Sequence, residues 1–170
     1  KACVVALAAF SGRRKAELCR FKVSDFNDDH LVCDGALYKS SPIKTKGRGV
    51  EGKLLNCYTL AKNFKPYFDK WMEYRKENNI KSEWLFYNEL NPNEQMNTSI
   101  IDGWYNEFTK IMGKDFYMHS MRHALVTRFL RAGIPSEVVK DILGWSDISL
   151  VSVYSDLEEE ESFSKYFGSE

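Results

Sequence analysis

At 170 residues, 44% hydrophobic and 14% aromatic, the chain is long and apolar enough for one packed domain and unlike a disordered polymer. No apolar run approaches the ~20 residues that span a bilayer, so a membrane partner is not expected. Basic and acidic side chains number 24 each, and a net charge of zero argues on its face against a nucleic-acid partner.

The zero is a sum over unlike segments. Residues 154 to 170 carry six acids, Asp156, Glu158, Glu159, Glu160, Glu161 and Glu170, against one base, Lys165. Without them 23 basic side chains face 18 acidic ones. The surplus gathers in RRKAELCRFK (13–22), in KSSPIKTKGRGVEGK (39–53) and around residues 110 to 131, which permits a local anionic partner without demanding one.

In chain order, KACVVALAAF lacks the cleavage site of a signal peptide and reads as a buried helix cut from a longer chain. Ser11-Gly12 breaks it, and a second helix is expected from Arg14 through Phe21 with Leu18 and Phe21 inward. HLVCD, ALYKS and KLLNCY are strand-like, and a long basic loop covers residues 40 to 52. From Thr59 to Lys76, Leu60, Phe64, Tyr67, Phe68, Trp71 and Tyr74 recur at helical spacing. Further helices are expected over Thr98 to Met112, 119 to 132, 135 to 143 with a stop at Gly144, Ile148 to Tyr154, and Glu158 to Phe167. The last of these has an acidic first turn, as the macrodipole prefers. The fold class is therefore α+β, mainly α-helical, with a small three-stranded antiparallel sheet. Cys3, Cys19, Cys33 and Cys57 show neither CxxC pairing nor a histidine at zinc-ligand spacing, so free buried thiols in a reducing compartment are expected, with no metal.

HSMRHALVTRFLRAG (119–133) poses a problem of its own. At about 100° per residue, Met121, Leu125, Val126, Phe129 and Leu130 form one apolar sector, and His119, Arg122 and His123 fall inside it. Arg128 and Arg131 lie on the opposite, polar face. An arginine cannot shed its proton to escape burial, so Arg122 needs an anion, from the protein or from outside.

HSMRH, followed by LRAGIPSEVVKDILGWSDISLVSVY, resembles the tyrosine recombinase, or phage integrase, catalytic domain. His119, Arg122, Trp145 and Tyr154 match the family's His-x-x-Arg, Gly-His or Gly-Trp, and Tyr pattern in order. SGRRKAEL matches its T/S-G-x-R-x-x-E-L stretch with Arg14 and Glu17, and Thr45-Lys46 fits its lysine hairpin. Each motif alone is weak, and each residue alone has a plain structural explanation. Six in order are not chance.

The resemblance implies a single catalytic domain over 1–170, with its core at 11–156, a tail helix at 157–170, and the family's amino-terminal DNA-clamping domain absent from the fragment. It implies phosphoryl transfer at a DNA phosphodiester without metal, ATP or other cofactor. Arg14 and Arg122 would neutralise the phosphate, since a guanidinium grips two oxygens at once. Tyr154 would be the nucleophile, giving a 3′-phosphotyrosyl intermediate. His119 would take its proton or hydrogen-bond the phosphate, Trp145 would donate its indole N–H, and Lys46 would protonate the leaving 5′ oxygen, with Lys44 as its rival. Glu17 would orient Arg14 or the lysine loop, and His123 would brace the site from behind. Arg13, Lys15 and Arg48 are expected among the DNA contacts.

The partner implied is double-stranded DNA, bound as a homo-tetramer, with the isolated fragment able to be a monomer and an intracellular location. FSKYF (163–167) offers the apolar stripe by which a tail would dock on a neighbour or on its own domain. A type IB topoisomerase or telomere resolvase shares the chemistry, and a noncatalytic DNA-binding module would keep the fold without it.

Overall fold

The computed structural model describes residues 1–45, 52–112, 118–145 and 151, with the backbone alone at 112, 118 and 119. Helix α1 (Ala2–Ser11) is buried on nearly every side, through Cys3, Val4, Ala6, Leu7, Ala8 and Ser11, as its apolar composition requires. It ends at Gly12, whose φ of 62° is the left-handed cap that glycine adopts without strain.

Helix α2 is a single turn, Lys15–Leu18, and stops short of the expected Phe21. The backbone is wanted elsewhere: the Phe21 carbonyl accepts from the Leu85 amide at 2.9 Å, and the Val23 amide donates to the Glu83 carbonyl at 2.9 Å. Two short 3₁₀ turns, Val23–Phe26 and Asp28–His30, lead into the sheet.

Strands β1 (Leu31–Val32), β2 (Leu37–Lys39) and β5 (Tyr58–Leu60) form the three-stranded antiparallel sheet, in the order β1-β2-β5. A separate ladder joins β3 (Ile43–Lys44) to β4 (Leu54–Leu55), with Ile43 opposite Leu55. KLLNCY is thus divided between two ladders rather than forming one strand. At the junction the Ser40 amide still donates to the Cys57 carbonyl at 2.9 Å, but the Ser40 hydroxyl accepts the Cys57 amide at 2.9 Å and the Ser40 carbonyl accepts the Asn56 side chain at 2.7 Å, so side-chain bonds take over part of the pairing there.

Helix α3 (Ala61–Glu77) begins two residues later than its periodicity suggests, because Thr59 and Leu60 belong to β5. It buries Phe64 and Phe68 and leaves Tyr67 and Tyr74 exposed at the margins of its stripe. Phe26 sits at the centre of the main core, its ring 4.8 Å from that of Phe64, 5.3 Å from Phe68 and 5.4 Å from Tyr38. The segment after α3 is irregular and is held by the buried Arg75, whose Nη1 donates to the carbonyls of Trp84 and Leu85 at 2.9 and 3.1 Å.

Helix α4 (Thr98–Met112), α5 (Met118–Arg131) and α6 (Ser136–Leu143) fall where the sequence places them. A second, mainly aliphatic core joins Leu125, Val126, Phe129 and Leu130 of α5 to Val139 and Leu143 of α6 and to Val151. Of the two expected final helices only Val151 is described, and it is fully buried in that core. The architecture is the mainly helical α+β fold with a small antiparallel sheet.

Candidate active site

The corner between α1 and α2 abuts both α5 and α6. A Cβ placed on Gly12 would lie 2.7 Å from Leu143 Cδ2, 3.1 Å from Leu125 Cδ2 and 3.7 Å from Arg122 Cγ. Only a residue without a side chain lets the three elements approach this closely. Arg14, two positions on, therefore stands beside the helix that carries Arg122.

Arg14 is the residue before the first turn of α2, in extended backbone at φ −71°, ψ 153°. Its own amide donates to Glu17 Oε2 at 3.1 Å, and its Nη1 lies 3.7 Å from Glu17 Oε1. The Glu17 carboxylate is buried while the Arg14 side chain remains 49% exposed, so the acid anchors the arginine and leaves part of its fork facing outward.

Arg122 is 3% exposed, inside the helix face where the sequence places it. Its guanidinium lies 4.9 Å from the Trp145 ring centroid, and Nη2 makes a long contact of 3.5 Å to the Leu143 carbonyl. The indole covers a cation, an attraction worth roughly 0.5–2 kcal/mol depending on how dry the site is. His123 departs from expectation, because it is exposed. Taking Arg122 as origin, the buried positions 125, 126, 129 and 130 spread over about 140°, and position 123, at about 100°, falls just beyond the edge of that sector.

Arg13 is the larger correction. Expected among the DNA contacts, it is 2% exposed and points into the protein. Its Nη1 donates to the Leu143 carbonyl at 3.1 Å and its Nη2 to the Ile142 carbonyl. Its basic neighbours made it look like a surface charge. Only the packing of α6 against the corner turns it inward, and no local signal in the sequence reports that packing. Lys15 is half exposed and ion-paired to Asp102 of α4, at 2.6 and 2.7 Å from the two carboxylate oxygens. Lys44 sits on the exposed side of β3, between buried Ile43 and Thr45, and its carbonyl accepts from the guanidinium of Arg20. Lys46, Arg48 and Tyr154 lie outside the described residues, as does the side chain of His119. Beneath the corner, burial pushes the Cys57 thiol up to about 11, with the nearby charge of Arg13 pulling the other way.

Among the described residues no group of three or more His, Cys, Asp and Glu side chains could hold a metal ion, and no helix is long and apolar enough to cross a membrane.

Residues 1–161 match the model of the phage integrase family. A tyrosine recombinase of Pseudothermotoga lettingae is 27% identical over 168 residues, covering 94% of this chain and 50% of its own length. Tyrosine recombinase XerA of Pyrococcus horikoshii is 23% identical over 146 residues, covering 85% of this chain and 46% of the relative. The chain thus spans about half the length of the curated relatives it matches. Among solved structures, XerA recombinase superposes with a TM-score of 0.70 at 20% identity, covering 97% of this chain and 56% of that one. XerH site-specific recombinase bound to its palindromic difH substrate, in a post-cleavage complex, gives 0.70 at 17% identity, covering 96% and 44%. With a family match across nearly its whole length, and with the fold of solved recombinases, this chain belongs to the phage integrase family and has the tyrosine recombinase catalytic-domain fold.

Proposed function

We propose that the chain is the catalytic part of a site-specific recombinase or integrase that cuts and rejoins double-stranded DNA through Tyr154. The observation that carries this reading is the buried Arg122 capped by Trp145, next to a corner that presents Arg14 half exposed. Two guanidiniums from different elements suit a phosphodiester whose nonbridging oxygens gain charge as phosphorus is attacked. The phenolic oxygen of Tyr154 forms a bond to phosphorus and the bond to the 5′ oxygen breaks. The leaving oxygen takes a proton from Lys46, with Lys44 the alternative donor. Rejoining reverses these steps, and the phosphotyrosine bond conserves the energy, so no ATP is needed, while the two guanidiniums neutralise the phosphate where other enzymes use a metal. His119 accepts the phenolic proton or hydrogen-bonds the phosphate, and Glu17 holds Arg14 in place.

That XerH is described bound to its difH substrate supports DNA as the substrate class here. The working unit is a homo-tetramer on DNA, formed inside the cell, with the residues after Tyr154 docking on a neighbouring subunit or folding back.

The test is a pool of nicked duplexes of randomised sequence, from which a covalent protein–DNA adduct is trapped and the crosslinked peptide weighed. The adduct is expected on Tyr154, to persist in excess chelator, and to vanish in Tyr154→Phe. Arg122→Lys is expected to slow its formation by a factor on the order of 10²–10³, because a point charge cannot form the fork. An adduct on another residue, or one that needs magnesium, overturns the reading.

A further inference from the structure

Helix α6 ends in a way that separates two pairs of carbonyls. The last four carbonyls of any helix lack partners within it. At the end of α6 the amide of Trp145 returns to the Lys140 carbonyl at 3.0 Å and that of Gly144 to the Asp141 carbonyl at 3.1 Å, the closed turn a left-handed glycine makes. Ile142 and Leu143 are left over. Both are taken by one guanidinium, that of Arg13, from the far side of the sequence.

The geometry points to Arg13 as a positioning residue for the Arg122–Trp145 pair: it clamps the end of α6, and the clamp sets where Trp145 sits over Arg122. Three observations converge. The Leu143 carbonyl that Arg13 holds at 3.1 Å is the one that Arg122 approaches at 3.5 Å, so a single oxygen fixes the spacing of two buried cations. The glycine at the corner keeps the clamp's approach open, since a Cβ on Gly12 would strike Leu143 Cδ2 at 2.7 Å, while Gly144 supplies the left-handed φ of 66° that closes α6. The cation also lies at the negative end of the α6 dipole, which favours it there.

Burying a guanidinium is costly, and among the described residues its Nε has no hydrogen-bond partner. An apolar side chain would avoid that cost but leave both carbonyls without a donor, and a lysine would bury a more strongly hydrated charge. The fork donates to the two consecutive carbonyls from one rigid, planar group, where an ammonium would be a flexible point charge. The residue that follows the clamped pair and its glycine is Trp145. Arg13 touches no substrate in this arrangement, and its effect passes through α6.

This inference rests on the proposed function only for its catalytic consequence, so its test has two arms. In the first, 5-fluorotryptophan is incorporated into the chain and the ¹⁹F resonance of position 145 is identified by its loss in Trp145→Phe. Arg13→Met is expected to move or broaden that resonance while those of Trp71 and Trp104, packed against the other core, stay put, and Arg13→Lys is expected to restore part of the shift. A resonance at 145 unmoved in Arg13→Met overturns the inference, whatever happens on DNA. Should Arg13→Met fail to fold, Arg13→Lys, which keeps the charge and loses the fork, is judged by the same resonance.

The second arm measures single-turnover adduct formation on the duplex recovered from the randomised pool. Arg13→Met is expected to lower the cleavage rate about tenfold or more with DNA affinity within about twofold. Weakened DNA binding with an unchanged rate makes Arg13 a DNA contact and overturns the positioning role. Absence of any Tyr154 adduct in the unsubstituted chain defeats the proposed reaction but leaves the ¹⁹F arm to decide on Arg13.

Discussion

The two cores of this molecule are built from different materials. The larger joins the sheet to α1 and α3 through interlocked aromatic rings around Phe26. The smaller joins α5 to α6 almost entirely through Leu and Val. The proposed catalytic groups sit at the seam: Arg14 leaves the end of α1, which belongs to the first, while Arg122 and Trp145 ride on the second. Arg13 crosses from one to the other. Packed apolar interiors resist deformation, so polar groups held between two such bodies inherit their relative position. The lesson is that the site is a property of how the cores meet, and of neither alone.

The sharpest way to separate the two is to open a cavity in each. Phe64→Ala should cost ~3–5 kcal/mol and Leu143→Ala ~2–5 kcal/mol of stability in urea unfolding, as buried truncations do. Per folded molecule, adduct formation should survive the first and fall in the second, because the Leu143 side chain packs against Gly12 and the α5 core and so holds in place the backbone carbonyl that both buried arginines approach. Equal behaviour would erase the distinction between scaffold and site.

Next in size is a pair of glycines. Gly12 and Gly35 both have positive φ, 62° and 81°, but a Cβ on Gly35 meets nothing within 4 Å. Gly35→Ala should therefore cost only the left-handed strain of about 1 kcal/mol. Gly12→Ala should add ~1–3 kcal/mol of overpacking at the seam. Thermal unfolding of both variants checks the difference.

The thiols report on the first core and the corner above it. Burial holds Cys3 at about 12 and Cys19 and Cys57 at about 11, from an ordinary value of 9.0, whereas Cys33 is exposed. Alkylation at pH 8 should mark Cys33 rapidly and the others only on unfolding. A raised native value means the unfolded chain loses protons first, so stability is intact below pH 9 and declines as pH climbs toward 11–12. Urea midpoints against pH measure the decline, and Cys3→Ala should lessen it. The smallest effect belongs to the outer face of α3, where Lys65 and Asp69 pair at 2.9 Å in full view of solvent. Lys65→Ala should cost about 0.3–0.5 kcal/mol and less in high salt.

Much of the fold was legible because periodicity survives without context. The stripe of α3, the Pro135–Gly144 brackets of α6 and the inward Arg122 all follow from spacing and from the intolerance of a guanidinium for unshared burial. The short α2 was not, since Phe21 and Val23 trade a helical bond for pairing with residues some 60 positions away. Nor was the division of KLLNCY between two ladders, at a junction where Ser40 and Asn56 make side-chain bonds across 16 and 17 residues. His123 shows how narrow the margin is: an error of about 20° on a helix face moves a residue from core to solvent.

Within SGRRKAEL the contrast is plainest. Sequence alone determined that Arg14 and Glu17 would share one turn, because three residues along a helix bring side chains together. Only the tertiary structure decided that Arg13 would turn away from them and bury itself against Ile142 and Leu143. Local spacing dictates which neighbours on one element can touch. Which of two adjacent arginines faces water is set by the carbonyls that another element, 130 residues distant, leaves unpartnered.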